Sequence, residues 1–193
     1  MERIWAPWRM EYVSGAKKEQ CIFCEAWNST EDKAHYVLYR DDNTLALLNL
    51  FPYTNGHVMV CPRRHTGQLE ALTPAEIGAL MVGCQLLVRV MKRVLSPAGF
   101  NVGMNLGEAG GAGIADHLHM HIVPRWSGDT NFMPVIGDTK VIPQSLDDAY
   151  RVLSQELRDE MTSLRAGVVR SADAEEQLRE EENDRTGRGG TDL

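Results

Sequence analysis

Short apolar runs with β-forming residues alternate with polar turns early in the chain, and one long stripe at helical spacing follows them. Tyr36-Val37-Leu38-Tyr39 reads as a strand, and Arg40-Asp41-Asp42-Asn43 as the turn after it. Thr44 to Leu50 predicts a second strand, Phe51 to Gly56 a turn, and His57 to Cys61 a third strand that Pro62 ends. Ile77, Leu80, Met81, Cys84, Leu87, Val88, Met91 and Leu95 recur every three or four residues. That period predicts a helix from about Pro74 to Leu95 with one buried stripe. Thr73 as its cap, Pro74 in its first turn and Glu76 completing a capping box mark its start. Ser96-Pro97-Ala98-Gly99 breaks it. Phe100 to Leu106 predicts a strand, Gly107 to Gly113 a glycine-rich loop, and His117 to Val123 a strand stopped by Pro124. A second helix is expected from about Leu146 into the region of Arg165. Strands joined by tight turns around one long helix predict an α+β fold, not alternating βαβ units. Its antiparallel sheet would have about five strands, with the long helix and a C-terminal helix packed on it.

The flanks are of another character. Residues 1–20 form an arm with Trp5, Trp8 and Tyr12, expected to pack on the body or on a second subunit. Residues 21–170 hold one folded domain, which a chain of 193 residues is long enough to build. Residues 171–193 lack a sustained apolar stripe and are expected to be a disordered, acidic tail. The net charge of −7 is concentrated there, because eight acidic and three basic residues from Ser171 onward contribute −5. About −2 remains for everything else, which argues against a general nucleic-acid surface. No apolar run approaches a membrane span, and the N-terminus lacks the apolar core of a signal peptide. A cytoplasmic protein with reduced cysteines and no membrane partner is therefore expected.

The chemistry concentrates in His117-Leu118-His119-Met120-His121. On a strand, alternate side chains share a face, so the three imidazoles would stand together while Leu118 and Met120 face the core. They could not together hold one metal ion. Alternate residues stand about 7 Å apart, whereas two donors on one zinc lie within roughly 4 Å. The loop just upstream has glycine at 107, 110, 111 and 113, and glycine allows backbone N–H groups to converge on an anion. A phosphate site beside a nucleophilic imidazole follows. Cys21-Ile22-Phe23-Cys24 has the spacing of half a zinc site, although a metal-free reduced pair would read the same way. A redox motif fits less well, because no thioredoxin-like βαβ pattern surrounds the pair. Cys61 and Cys84 fall in apolar patterns and are expected to be buried.

Gly56-His57-Val58-Met59-Val60-Cys61-Pro62, the long helix, Asn105, the glycine loop and His117 to Arg125 together resemble the histidine triad (HIT) superfamily. The resemblance spans roughly residues 20–135. The arm from Trp5 to Tyr12 and the stretch from Pro124 to Pro134 resemble a bacterial branch labelled diadenosine tetraphosphate phosphorylase. The resemblance implies that His119 is the nucleophile and forms a covalent nucleotidyl-histidine. His121 would hydrogen-bond phosphate oxygens near the leaving group, Asn49 would contact ribose, and His57 would lie behind the triad. Asn105, Gly111, Ala112, Gly113 and Ile114 would bind phosphate. Other members often have glutamine or serine in this loop, so Ala112 and Gly113 imply contacts made mainly by backbone. His65 and His117 would join Cys21 and Cys24 in a closed, structural zinc site. No organic cofactor is implied, and a homodimer is.

The implied activity is nucleotidyl transfer: cleavage of a dinucleoside polyphosphate at the α-phosphate, with inorganic phosphate favoured over water as acceptor. Hydrolysis of dinucleoside polyphosphates or nucleoside phosphoramidates uses the same mechanism and stays open. A hexose-phosphate uridylyltransferase fits less well, since that branch has glutamine where this chain has His121. A nucleotide-binding module without turnover is the alternative of a different class.

Overall fold

The computed structural model describes residues 20–130 and 141–164. The aromatic arm, the acidic tail and the end of the stretch from Pro124 to Pro134 lie outside them. Five strands form one antiparallel sheet: β1 (Val37–Arg40), β2 (Thr44–Leu48), β3 (Val58–Pro62), β4 (Gly99–Met104) and β5 (Met120–Arg125). Their spatial order is β1-β2-β3-β5-β4, so the return strand β5 lies between β3 and the edge strand β4. Helix α1 (Ile22–Asn28) precedes the sheet, α2 (Pro74–Leu95) joins β3 to β4, and a C-terminal helix runs through residues 146–164. The α+β architecture expected from the sequence is present.

The period-two alternation of the strands divides the sheet into two faces. Ala46, Leu48, Val58, Val60 and Ile122 pack with Leu80, Cys84, Leu87, Val90 and Met91 of α2 and with Leu153 and Leu157 of the C-terminal helix. On the other face Val37, Leu45, Leu47, Met59 and Cys61 pack with Phe23 and Ala26 of α1. His121 pairs with Met59 across the ladder and therefore looks toward the α1 face.

The start of α2 is as the sequence predicts. Glu76 N–H donates to Thr73 Oγ1 (3.2 Å) and Thr73 N–H donates to Glu76 Oε2 (2.7 Å), with Pro74 in the first turn. Its buried face is rotated from the predicted stripe. Gly83 and Val90 are buried, while Ile77 and Met81 are 43% and 49% exposed. Gly83 explains the rotation, because a Cβ there would lie 2.2 Å from Tyr39 Oη and the bare backbone lets Tyr39 against the helix. At 22 residues and a mean hydropathy of 1.4 over its most apolar stretch, α2 has the length and composition of a membrane span, contrary to the sequence reading. It nevertheless serves as the core helix of this sheet. Arg89 and Arg93 on its outer side pair with Glu156 and Glu160 of the C-terminal helix.

Strands β1, β3 and β4 are shifted by one or two residues from their predicted ranges, and three larger differences bear on the site. Strand β2 ends at Leu48, leaving Asn49 and Leu50 in the following turn. Helix α1 carries no predicted counterpart; it has seven residues and no side-chain cap. Strand β5 begins at Met120 rather than His117 and continues through Pro124. The ladder to β3 ends at Val60–Met120, and Leu118 N–H donates instead to Thr66 C=O (2.7 Å). Pro124 is tolerated because its missing donor faces the side where β3 has already ended. There its carbonyl accepts from Thr54 Oγ1 (2.8 Å), while Arg125 C=O turns the other way to Ala98 N–H (2.8 Å).

Candidate active site and metal centre

His117 and His119 precede the regular strand, yet the alternation persists through them. Leu118 enters the core against α2, while both histidine rings pack on Phe23 of α1. The His119 and His121 rings meet edge to face with centroids 4.9 Å apart. This is closer than the even spacing of a flat strand would give. All three histidines are buried.

His119 Nδ1 lies 2.9 Å from the backbone carbonyl of His117. A carbonyl only accepts, so Nδ1 carries the proton and Nε2 keeps its lone pair. Burial lowers the His119 pKa, partly offset by that same hydrogen bond. The lowered pKa favours a neutral imidazole, and the Nδ1 bond leaves a lone pair on its outer nitrogen.

A second chain of bonds orders His121. Tyr53 N–H donates to His57 Nδ1 (3.0 Å), and Asn49 Nδ2 lies 3.3 Å from the same atom. In a neutral ring the His57 proton then resides on Nε2, which lies 2.9 Å from His121 Nδ1. His121 accepts at Nδ1 and carries its own proton on Nε2, where it can donate to an oxyanion. Tyr53 also stacks on His121, with centroids 5.6 Å apart. Asn49 therefore sits behind the relay, its Oδ1 accepting from Phe51 N–H (2.9 Å).

The glycine loop is turned in on itself more than expected. Gly107 and Gly111 adopt positive φ (+68° and +88°), and Asn105 Nδ2 donates to Gly111 C=O (3.3 Å). The N–H groups of Gly110, Gly111 and Ala112 donate to carbonyls within the loop, so these three amides do not form the expected cradle. Ala112 is buried and Ile114 packs against the α1 cluster, while Gly113 is exposed. A groove of about 360 Å³ runs outward from His121, lined by Tyr53, Asn101, Asn105, Arg125 and Asp129 among others. Arg125 holds Asp129 through Nε (2.5 Å) and Nη2 (2.8 Å), and donates to Asn101 through Nη1 (2.8 Å).

Cys21, Cys24, His65 and His117 converge, their four ligand atoms within 4.8 Å of one another. Cys21 Sγ and Cys24 Sγ lie 3.3 Å and 3.6 Å from His117 Nδ1, and Cys24 Sγ lies 3.4 Å from His65 Nδ1. Ligands on a tetrahedral zinc stand roughly 3.3–3.8 Å apart, so the set fits such an ion with little movement. His117 Nε2 donates to Pro62 C=O (2.9 Å), which turns a bare Nδ1 toward the thiols. Burial, together with the His65 and His119 rings, pushes His117 down to about 4 and keeps it neutral. Burial, then the neighbouring Cys21, raises the Cys24 thiol. These residues could hold a metal ion. With all four donors engaged, an ion there would have no open position for substrate, the arrangement of a structural rather than a catalytic site.

The structure thus brings the predicted metal set together and places His57, His119 and His121 in one cluster. Phe23, Tyr53 and the carbonyls of Pro62 and His117 escaped the sequence reading. Only Phe23 carried a signal, as the apolar residue inside Cys-x-x-Cys.

Comparisons with known proteins agree with this arrangement. The family model described as the HIT domain matches residues 30–128. The chain is 44% identical over 164 residues to a Mycobacterium tuberculosis protein named AP-4-A phosphorylase, covering 81% of this chain and 84% of that one. It is 36% identical over 93 residues to the asymmetrical bis(5'-nucleosyl)-tetraphosphatase of Schizosaccharomyces pombe, covering 48% and 50%. Among solved structures it resembles a zinc-bound histidine triad family protein from Mycobacterium smegmatis, with 25% identity and a TM-score of 0.60 over 75% of this chain and 97% of that one. With the match across the sheet and the triad, the chain belongs to the HIT domain family.

Proposed function

We propose that this HIT-family enzyme cleaves dinucleoside polyphosphates of the diadenosine tetraphosphate type at the α-phosphate, through a nucleotidyl-His119 intermediate, with inorganic phosphate as acceptor. The observation that carries the reading is the bond from His119 Nδ1–H to His117 C=O, which leaves the Nε2 lone pair available beside His121. In the first step Nε2 forms a bond to the α-phosphorus while the bond to the leaving oxygen breaks. With a tetraphosphate the departing group is ATP. His121 Nε2–H donates to the oxygen that gains charge. In the second step a phosphate oxygen attacks phosphorus, the N–P bond breaks, and ADP leaves with His119 restored. Splitting the displacement in two lets a second acceptor complete it. The relative named AP-4-A phosphorylase, matched over most of both chains, supports this substrate class and this acceptor.

Water in place of phosphate is the second reading, favoured by the likeness to the asymmetrical tetraphosphatase. Product analysis separates the two. Diadenosine tetraphosphate with phosphate should yield ADP and ATP, and His119→Ala should abolish turnover while retaining nucleotide binding. AMP with ATP, irrespective of phosphate, would assign hydrolysis. Undiminished turnover by His119→Ala would overturn the mechanism.

The same reading gives Cys21, Cys24, His65 and His117 one structural zinc per chain. Two thiols and two imidazoles at compatible distances support it. It also joins two copies along the edge strand β4 and the exposed side of α2, where Ile77, Met81, Val102 and Leu106 present apolar surface.

A further inference from the structure

Phe23 stands between the two cysteine ligands in sequence and between a ligand and the nucleophile in space. Its side chain has no exposure. Its ring centroid lies 5.2 Å from that of His117 and 5.0 Å from that of His119. It cannot touch a nucleotide without the site coming apart, so any effect on the reaction passes through the rings it contacts.

We propose that Phe23 is the positioning residue through which the metal centre holds His119 in its attacking orientation, so that metal occupancy sets turnover. The proposal rests on the reading of His119 as nucleophile. Two of the restraints on the His119 ring come from a candidate ligand residue or its neighbour in the chain. Its hydrogen bond ends on the backbone carbonyl of His117, and its packing wall is the residue before Cys24. A single hydrogen bond leaves a ring free to rock, whereas close packing against the Phe23 and His121 rings does not.

Helix α1 shows why the metal matters to Phe23. Seven residues are too few for a helix that is stable alone, and α1 has no side-chain N-cap. Its far end is clamped by Arg40, whose Nη1 donates to the carbonyls of Trp27 (3.0 Å) and Ser29 (2.8 Å). Its beginning carries Cys21 and Cys24, which reach His65 and His117 across the metal centre. Metal loss would therefore loosen the segment that carries Phe23 while the Arg40 clamp and the core contacts of Ala26 keep the rest docked. Local loosening, not global unfolding, is the expected result.

The test uses the whole chain in three forms: zinc-loaded, chelator-stripped, and Phe23→Leu. NMR follows solvent exchange of the His119 Nδ1–H proton, elemental analysis counts zinc, and kcat and KM are measured on diadenosine tetraphosphate. Stripping should speed that exchange and lower kcat, each about tenfold or more, with KM within about twofold, and zinc should restore both. Phe23→Leu should retain zinc yet move exchange and kcat in the same direction. The proposal is overturned if stripped, folded protein keeps both values, or if Phe23→Leu with full zinc does. Should chelation unfold the chain, the Phe23→Leu comparison decides alone. A zinc-loaded enzyme with no turnover would refute the dinucleoside polyphosphate reading, while proton exchange would still decide the coupling.

Discussion

At the scale of single residues, His57 separates orientation from contact. It is buried behind His121, and in the proposed reaction it touches no phosphate. Replacing it with leucine removes the donor that keeps the His121 proton on Nε2. The expected outcome is a fall in kcat of about 10²-fold with a smaller change in KM, measured by steady-state kinetics. An unchanged kcat would mean that His121 does not depend on the relay. The histidines themselves were legible in the sequence because alternation and spacing are side-chain properties. Their partners were not. Pro62 and His117 act through main-chain carbonyls, which every residue possesses and no residue type advertises. Phe23 escaped for another reason, since an apolar residue between two cysteines reads as filler until its ring is seen against His119.

At the scale of elements, the long helix was legible to the residue at both ends because its cap, its first-turn proline and its period agree. Its buried face was not, because the decisive position is Gly83, which has no side chain to enter a hydrophobic pattern. The start of β5 was misplaced because alternation continues through His117 and Leu118 after the ladder has ended. The cap of α2 also ties the helix to the segment bearing His65. Arg64 donates to both Glu76 oxygens (each 2.8 Å), and Glu76 accepts from Thr73. Arg64 first, then the Thr73 backbone N–H, lowers Glu76 from its ordinary 4.5 to about 2. A carboxylate with a depressed folded-state pKa stabilises the fold above its unfolded value and loses that effect as pH falls through the folded value. Glu76→Gln should therefore melt below the parent at neutral pH, with the gap closing between about 4.5 and about 2. Thermal melts across that range check this, and a gap independent of pH would show that the charge is irrelevant. The pair is exposed enough for salt to weaken it.

At the scale of the molecule, one face of the sheet is closed by α2 and the C-terminal helix, whereas the other carries α1, the Cys21, Cys24, His65 and His117 group and the histidine cluster. One edge of the sheet is β4, whose central residues are exposed among the described residues, and next to it an apolar groove of about 290 Å³ runs between Met81, Met104 and Leu106. If two copies meet there, Met81→Glu places a charge in the contact, and light scattering should register a shift from dimer toward monomer. A parent that is itself monomeric would rule out the pairing. The sheet could be foreseen from strand and turn signals, but its two-sided use could not. That division depends on which side the seven residues of α1 choose, and so short a helix leaves little periodic trace.

The relay that orders His121 begins at the peptide N–H of Tyr53. A peptide group does not titrate, cannot be phosphorylated, and survives every point substitution except one to proline. The direction of the proton is thus inherited with the path of the chain and not with the identity of a side chain. Exposed side chains of the turn such as Leu50 and Phe51 can then drift to suit different nucleotides while the acid–base state behind them stays fixed. A lineage could change what such an enzyme accepts without first relearning how it reacts.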